Sequence, residues 1–184
     1  MKLIAQVKLL PTPEQADALK QTIEQANAAC QYVSDYAWES KTFRQYDLHH
    51  KCYQAVREQF GLSAQVAVRA IAKVADAYKL DRKTKRTFKT TGSIAYDDRI
   101  LSWRLQDQTV SIWTVSGRLR IPFVCGERQL ELLQTRQGES DLGVAWKQWL
   151  QLKNRRYRAE GIEIPFPIRT VHLQKGTRFS ITAE

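Results

Sequence analysis

The chain has 184 residues, of which 43% are hydrophobic and 10% aromatic, so it can bury a core and is too apolar to stay disordered. Its formal net charge of +10 favours a polyanionic partner, most often nucleic acid, over a merely soluble basic protein. No stretch reaches the length of a membrane span, and the start "MKLIAQVKLL" lacks the cleavage site of a signal peptide, which excludes membrane insertion and predicts a cytoplasmic protein.

The first predicted elements are a strand and a long helix. Apolar residues alternate with mostly polar ones over residues 3–9, which predicts a strand with one buried face. Thr12 and Gln15, with a proline between them, have the spacing of a capping box. From Ala16 to Ala37, apolar residues recur at spacings of three and four, which predicts an amphipathic helix of about six turns.

Two more helices follow in the pattern. One is predicted from Leu48 to Phe60, with its end at Gly61. A third is predicted to start after Ser63 as its cap and to reach Tyr78. Because the links between the three helices are short, we expect the helices to pack on one another.

After Gly92 the apolar period changes to that of strands. "RILSWRL", "TVSIWTV" and "RLRIPFV" predict an antiparallel meander, followed by a short helix, "ERQLELLQ", and a polar loop at Glu139 and Asp141. The meander supplies partners for the first strand. The sequence therefore predicts an α+β fold: a small antiparallel sheet or partial barrel with an inserted helical bundle, plus a C-terminal helix-strand appendage.

Basic residues cluster where the helical block meets the predicted sheet. This stretch, "KLDRKTKRTFK", has one acid, Asp81, and we expect its cations to contact phosphates, with arginines of the sheet as secondary contacts. The alternative is a solvated basic linker. The predicted nucleic-acid-binding residues are Lys79, Arg82, Lys83, Lys85, Arg86, Lys89, Arg99, Arg104, Arg118 and Arg120. Four nearby aromatics are candidates for stacking on bases, although each fits a core position as well: Phe88, Tyr96, Trp103 and Trp113.

No catalytic or metal-binding pattern emerges. Asp97 and Asp98 are adjacent before a strand, which predicts a turn and not a carboxylate pair. His49 and His50 diverge on a helix and have no third ligand at metal spacing. The three cysteines are far apart and odd in number, which predicts reduced thiols and neither a disulfide framework nor a zinc site. We therefore expect no catalytic residues, metal or cofactor.

Residues 1 to about 142 resemble the N-terminal region of the TnpB (OrfB) transposase family of bacterial insertion sequences. The stretches that carry the resemblance are "KLIAQVKLLPTPEQADALKQTIEQANAACQYVSDYAWE", "LSAQVAVRAIAKVADAYK", "GSIAYDDRILSWRL" and "RLRIPFVCGERQLELLQTRQGESDL". The family consists of RNA-guided DNA endonucleases in which a wedge domain with a helical insertion grips guide RNA and target DNA. The resemblance implies a wedge-type sheet domain at 1–10 and 93–142, with the helical insertion and basic linker at 11–92.

The tail at 143–184 resembles a different family. "GVAWKQWLQLKNRRYRAEGIEIPFPIRTVHL" is similar, over about 146–173, to the C-terminal end of the cytosolic domain of small-conductance mechanosensitive (MscS) channels. In the TnpB family the wedge continues into a RuvC-like nuclease with metal-binding carboxylates and a zinc-binding cysteine cluster. The change of pattern after Leu142 implies a fusion of separate origins over the alternative, a single divergent domain.

These resemblances lead to a functional expectation with one alternative from another class. We expect a truncated transposase-like protein that lacks the nuclease and zinc-binding parts and retains RNA or DNA binding, to guide RNA or transposon ends. In the alternative the chain is a non-functional or assembly-only fragment that self-associates through the tail, whose apolar residues would form an unpaired edge strand. Those residues are Ile164, Phe166, Ile168 and Val171.

Overall fold

The structure, a computed structural model, describes residues 6–134, 140–144, 170–173 and 179–183. Its elements in chain order are β1 (Gln6–Leu9), α1 (Pro13–Ser40), α2 (Gln45–Phe60), α3 (Ala64–Leu80), β2 (Ile94–Tyr96), β3 (Leu101–Arg104), β4 (Thr109–Thr114), β5 (Gly117–Val124), α4 (Glu127–Gln134), β6 (Ser140–Val144), β7 (Thr170–Leu173) and β8 (Phe179–Ala183). The predicted α+β class is confirmed. The helical block α1–α3 lies in the chain between β1 and β2, which belong to the same sheet.

The start of α1 has the predicted capping box. The amide of Gln15 donates to Oγ1 of Thr12 at 3.3 Å, and the amide of Thr12 donates to Oε1 of Gln15 at 3.1 Å. Pro13 occupies the first turn, where its missing N–H removes no helical hydrogen bond. Two of the amide groups that a helix start leaves unpaired are thus satisfied locally, and the long helix begins where the sequence predicts.

The three helices pack into a bundle through one apolar stripe each, as predicted. Cys30 and Val33 of α1 are fully buried, as are Val56 of α2 and Ile71 of α3. The helix α2 ends at the predicted Gly61, whose φ of 58° is the left-handed conformation that glycine adopts without strain. Ser63 precedes α3 as predicted, but its side chain makes no capping hydrogen bond.

The sheet has the order β2-β6-β8-β7-β1-β5-β4-β3. The predicted meander β3-β4-β5 is antiparallel, and β5 pairs with β1, placing Leu9 opposite Phe123. Both side chains are buried on one face of the sheet, together with Val110 and Ile121. The first strand therefore has the partner that the sequence predicts for it.

Three strands, β2, β6 and β8, lie where the sequence predicts none. β2 pairs with β6, so that Ile94 lies opposite Leu142 and both side chains are buried. Asp141 belongs to β6, and the predicted polar loop is wrong at this residue, while Glu139 lies outside the described residues. Asp141 and Gly143 favour a loop, but pairing with β2 buries Leu142 between them, and the segment forms a strand.

The described parts of the tail belong to the same sheet. β7 pairs with β1 on one side and β8 on the other, and β8 lies parallel to β6. The predicted unpaired edge is therefore wrong for the strand that contains Val171, which has Val7 and Ile181 as its neighbours. The other three apolar tail residues and the predicted tail helix lie outside the described residues.

The three cysteines are free thiols. Burial among apolar side chains raises the pKa of Cys30 and of Cys52 to about 11, because the thiolate cannot be solvated there. Both thiols therefore stay protonated and unreactive in the fold near neutral pH. Within the described part of the chain, no helix combines the length and the apolar character needed to cross a bilayer.

Candidate nucleic-acid interface

The segment between α3 and β2, residues 81–93, lies along α1 and is held there by polar side chains; we name it the linker. Asn27, Gln31 and Ser34 are spaced by four and three residues, so they share one face of α1. The linker backbone contacts each of them in turn. The amide of Phe88 donates to Oε1 of Gln31 at 3.0 Å, and Oγ of Ser34 donates to the carbonyl of Arg86 at 2.6 Å.

Asn27 makes the most contacts of the three. Its Nδ2 donates to the carbonyl of Gly92 at 2.6 Å and to that of Thr90 at 3.2 Å, and its Oδ1 accepts from Nζ of Lys73 at 2.7 Å. Its side chain is 1% exposed. A Cβ at Gly92 would lie 3.0 Å from Oδ1 of Asn27 and 3.1 Å from the carbonyl of Lys89, so a side chain here would force the linker and the helix apart by a few tenths of an ångström.

A buried tyrosine anchors the middle of the linker. Oη of Tyr78 lies 3.0 Å from Oγ of Ser34 and accepts a hydrogen bond from the amide of Arg86 at 3.2 Å. Because the backbone of Arg86 is held on both its amide and its carbonyl side, this part of the linker has a fixed conformation. Alternate side chains then point outward: Lys85 and Lys89 are exposed, while Phe88 is half-buried.

The six predicted linker cations form one patch, which we name the linker patch: Lys79, Arg82, Lys83, Lys85, Arg86 and Lys89. Three of them have a carboxylate partner within 4 Å. Of these partners, only Asp81 lies within the basic stretch itself. Lys79 pairs with Asp76 at 2.7 Å, Lys85 with Asp35 at 2.8 Å, and Arg86 with Asp81 at 3.1 Å. The partners Asp35 and Asp76 come from α1 and α3, so the fold lowers the net charge of the patch.

In two of these ion pairs the pKa of one partner is shifted. The hydrogen bond to Asp35 raises the pKa of Lys85, which therefore stays protonated throughout the physiological range. Hydrogen bonds from Thr84 and from the amide of Lys83, with the charge of Arg86, lower the pKa of Asp81. The pairs of Lys79 and Lys85 are exposed and that of Arg86 is partly exposed, and such pairs contribute little stability because water screens them. When a phosphate of a nucleic acid replaces the carboxylate partner of one of these cations, the fold therefore loses little free energy of unfolding.

The other three cations of the linker patch, Arg82, Lys83 and Lys89, have no ion-pair partner among the residues that the structure describes. All three are exposed. The guanidinium carbon of Arg82 lies 6.0 Å from the ring centroid of Phe43, a cation–π contact that directs the side chain towards the α1–α2 connection. The linker patch thus presents uncompensated positive charge on a fixed backbone.

Three of the predicted sheet residues, Arg104, Arg118 and Arg120, lie on the face of β3-β4-β5 opposite the buried residues; we name it the arginine face. The register places Arg118 directly opposite Trp113, and its guanidinium carbon lies 5.9 Å from that ring. Arg118 also donates to the carbonyl of Arg99 at 2.7 Å. All three side chains are exposed, so they form a second basic surface.

Arg99 lies at the junction between the sheet and α3. Its guanidinium donates to Oε1 of Gln65 at 3.3 Å, and its amide donates to Asp97 at 3.0 Å. The carboxylate of Asp97 also accepts from Gln65 and from Arg69. The predicted turn at Asp97–Asp98 is confirmed, and the role of Asp97 is to join the turn to α3.

Nine of the ten predicted residues therefore lie on these two surfaces, and Arg99 lies at the junction of α3 and the sheet, beside Arg118 of the arginine face. Arg99 contacts Gln65 in the first turn of α3, whereas Lys79 lies in the last turn. At 1.5 Å per residue these positions are about 20 Å apart along the helix. The sequence could not predict this separation, because it depends on how the helix is placed against the sheet.

Of the four aromatic candidates, only Trp113 has an exposed ring, with 37% of its surface accessible. Tyr96 is buried, its hydroxyl donates to the carbonyl of Trp113, and burial raises its pKa. Trp103 packs edge-on against Phe123 with 5.1 Å between ring centroids. Phe88 is half-buried and its ring lies 5.4 Å from Nζ of Lys73.

The side chains that hold the linker are not among the residues predicted from the sequence: Asn27, Gln31, Ser34 and Lys73. A signal for two of them was present. Asn27 and Ser34 are polar, seven residues apart, and lie beside the apolar stripe of a long helix, where an unpaired polar group would be costly. Such a pair indicates a segment that packs on the helix, although it does not say which segment.

The histidines and acids form no metal centre within the described residues. His49 stacks on Tyr53 with 4.7 Å between ring centroids, while His50 is exposed. Comparisons of this chain with models of known protein families and with curated proteins find no match.

Proposed function

We propose that this protein binds RNA or DNA through the linker patch, with the arginine face as a secondary contact surface. The observation that carries the proposal is the trio Arg82, Lys83 and Lys89. These exposed cations lie on a linker whose backbone is hydrogen-bonded along α1. Because the linker is already ordered, a phosphate backbone that binds there does not have to supply the free energy of ordering it.

The kind of protein is part of the same proposal. We infer a transposase-related chain of the TnpB type that grips nucleic acid in the cytoplasm and does not cut it. The order of elements supports this inference: a strand, three helices, a basic linker and a meander follow one another as the resemblance implies. The bound species would be a guide RNA or a transposon end.

The test is equilibrium binding of the full chain to a fluorescein-labelled 20-nucleotide RNA and to DNA of the same sequence, over a range of salt concentrations. For a single strand the slope of log K against log salt is about −0.7 for each phosphate neutralised, so three uncompensated cations predict a slope of about −2 or steeper. With magnesium present, the oligonucleotide should be recovered intact. A slope near zero would contradict the proposed contacts, and recovered cleavage products would contradict binding without cleavage.

A further inference from the structure

A groove of 530 Å³ lies between α3, the linker and the β2–β6 pair. This volume is within the range of small-molecule sites. Much of the wall is apolar. The apolar lining consists of Ala72, Ala77, Leu80, Phe88 and Ala95. Leu80 is 88% exposed, so part of this apolar lining is open to solvent.

The polar groups of the groove include both hydrogen-bond donors and acceptors. Lys73 donates to Asn27 and to the carbonyl of Ser93, each at 2.7 Å, which leaves one of its three N–H groups without an acceptor among the described residues. Asp76 and Asp141 contribute carboxylate oxygens. Arg69 and Lys79 also line the groove, so its cations and carboxylates nearly balance and give no strong preference for a free phosphate. A flat heterocycle with donors and acceptors on its edge fits both kinds of group.

We propose that this groove holds one unpaired nucleobase of the strand that contacts the linker patch. The inference rests on the proposed function, since the base is delivered by a bound nucleic acid. The ring of Phe88 and the alanine side chains form the apolar walls for the base. The N–H of Lys73 and the carboxylates of Asp76 and Asp141 face the donors and acceptors of its edge.

The position of the groove within the patch supports this assignment. Phe88 lines the groove, and the next residue along the linker, Lys89, is exposed. Lys79, which also lines the groove, belongs to the linker patch as well. A strand whose phosphates contact Lys79 and Lys89 therefore passes over the mouth of the groove with a base within reach of Phe88. Because a paired base cannot enter, the protein should prefer single strands to duplexes.

The test uses a single strand of uridines with one central 2-aminopurine, bound by the full chain at saturating concentration. Acrylamide should quench the fluorescence of the bound 2-aminopurine much less than that of the free oligonucleotide, because the groove shields the base. Filling the groove by Ala72→Leu with Ala77→Leu should restore quenching and weaken binding by about tenfold, the contribution of one stacked base. Ala28→Leu, at an exposed position of α1, is the matched control and should change neither quantity.

The outcomes separate this inference from the proposed function. If the wild-type protein binds the oligonucleotide but acrylamide quenches the bound 2-aminopurine as strongly as the free one, the base site is overturned and phosphate binding stands. This outcome is read from the wild-type complex and needs no variant. Protection that survives in the filled variant would also overturn it, since the base would then lie elsewhere. Absence of any binding would remove both proposals.

Discussion

Replacing Arg82, Lys83, Lys85 and Lys89 by alanine should flatten the salt dependence of RNA binding. Each phosphate contact that is lost removes about 0.7 from the slope of log K against log salt for a single strand. Because Lys85 is paired with Asp35, only the other three contacts count in full, so the slope should fall by about 2. The affinity of the variant should then change about 20-fold less than that of the wild type between 50 and 200 mM salt. Fluorescence anisotropy at several salt concentrations measures both quantities.

The choice of these four residues follows from the structure. Arg86 is left intact because its guanidinium donates to the carbonyl of Asp81 and its amide donates to Tyr78, so its loss would disturb the linker itself. Lys89 is included because it is exposed and has no carboxylate partner among the described residues.

A control variant removes the same amount of charge elsewhere on the surface. It replaces four cations of other elements by alanine, of which Lys20 is half-buried and the others are exposed: Lys20, Lys51, Arg57 and Arg128. Its slope should remain close to that of the wild type. Equal flattening in both variants would mean that net charge, and not the linker patch, governs binding.

Asn27→Ala should destabilise the fold by about 3 kcal/mol, since it leaves buried polar groups without partners. The carbonyls of Thr90 and Gly92 lose their donor, and the ammonium of Lys73 loses an acceptor. Burial already lowers the pKa of Lys73, which means that its charged form depends on the remaining hydrogen bonds. Urea unfolding followed by far-UV circular dichroism gives the free energy of unfolding.

Ser40→Ala is the matched control for this variant. The hydroxyl of Ser40 donates to the carbonyl of Tyr36, four residues earlier in α1, at 2.8 Å, but this hydrogen bond lies at an exposed position. We expect a change within about 0.5 kcal/mol, since water replaces an exposed hydrogen bond. If both variants lost the same small amount, Asn27 would not hold the linker in the way described. In RNA binding, Asn27→Ala should weaken affinity with little change of slope, because the cations are still present but less well ordered.

The sequence allowed the prediction of elements whose signals are local. The capping box at Thr12 and Gln15, the glycine at the end of α2 and the alternating strands of the meander each depend on residues close together in the chain. Propensity and hydrophobic period are sufficient for such elements. Consequently the helices and the meander were predicted close to their observed bounds.

What could not be predicted depends on distant residues. β6 contains aspartate and glycine, which disfavour strands, and it forms because β2 pairs with it and Leu142 becomes buried. Likewise, the basic stretch has a single acid in sequence but two further carboxylate partners in space, from Asp35 and Asp76. Neither the pairing of strands nor the pairing of charges over such distances has a local signal.

We propose that a fixed basic linker, and not the surface in general, contacts a nucleic acid. The most direct test is lysine acetylation of the wild-type protein with and without a saturating single-stranded oligonucleotide, quantified by mass spectrometry. Lys83 and Lys89 should become protected, while Lys51, exposed on α2, should react at an unchanged rate. Equal rates at all three lysines with the oligonucleotide bound, or protection confined to Lys51, would contradict the account.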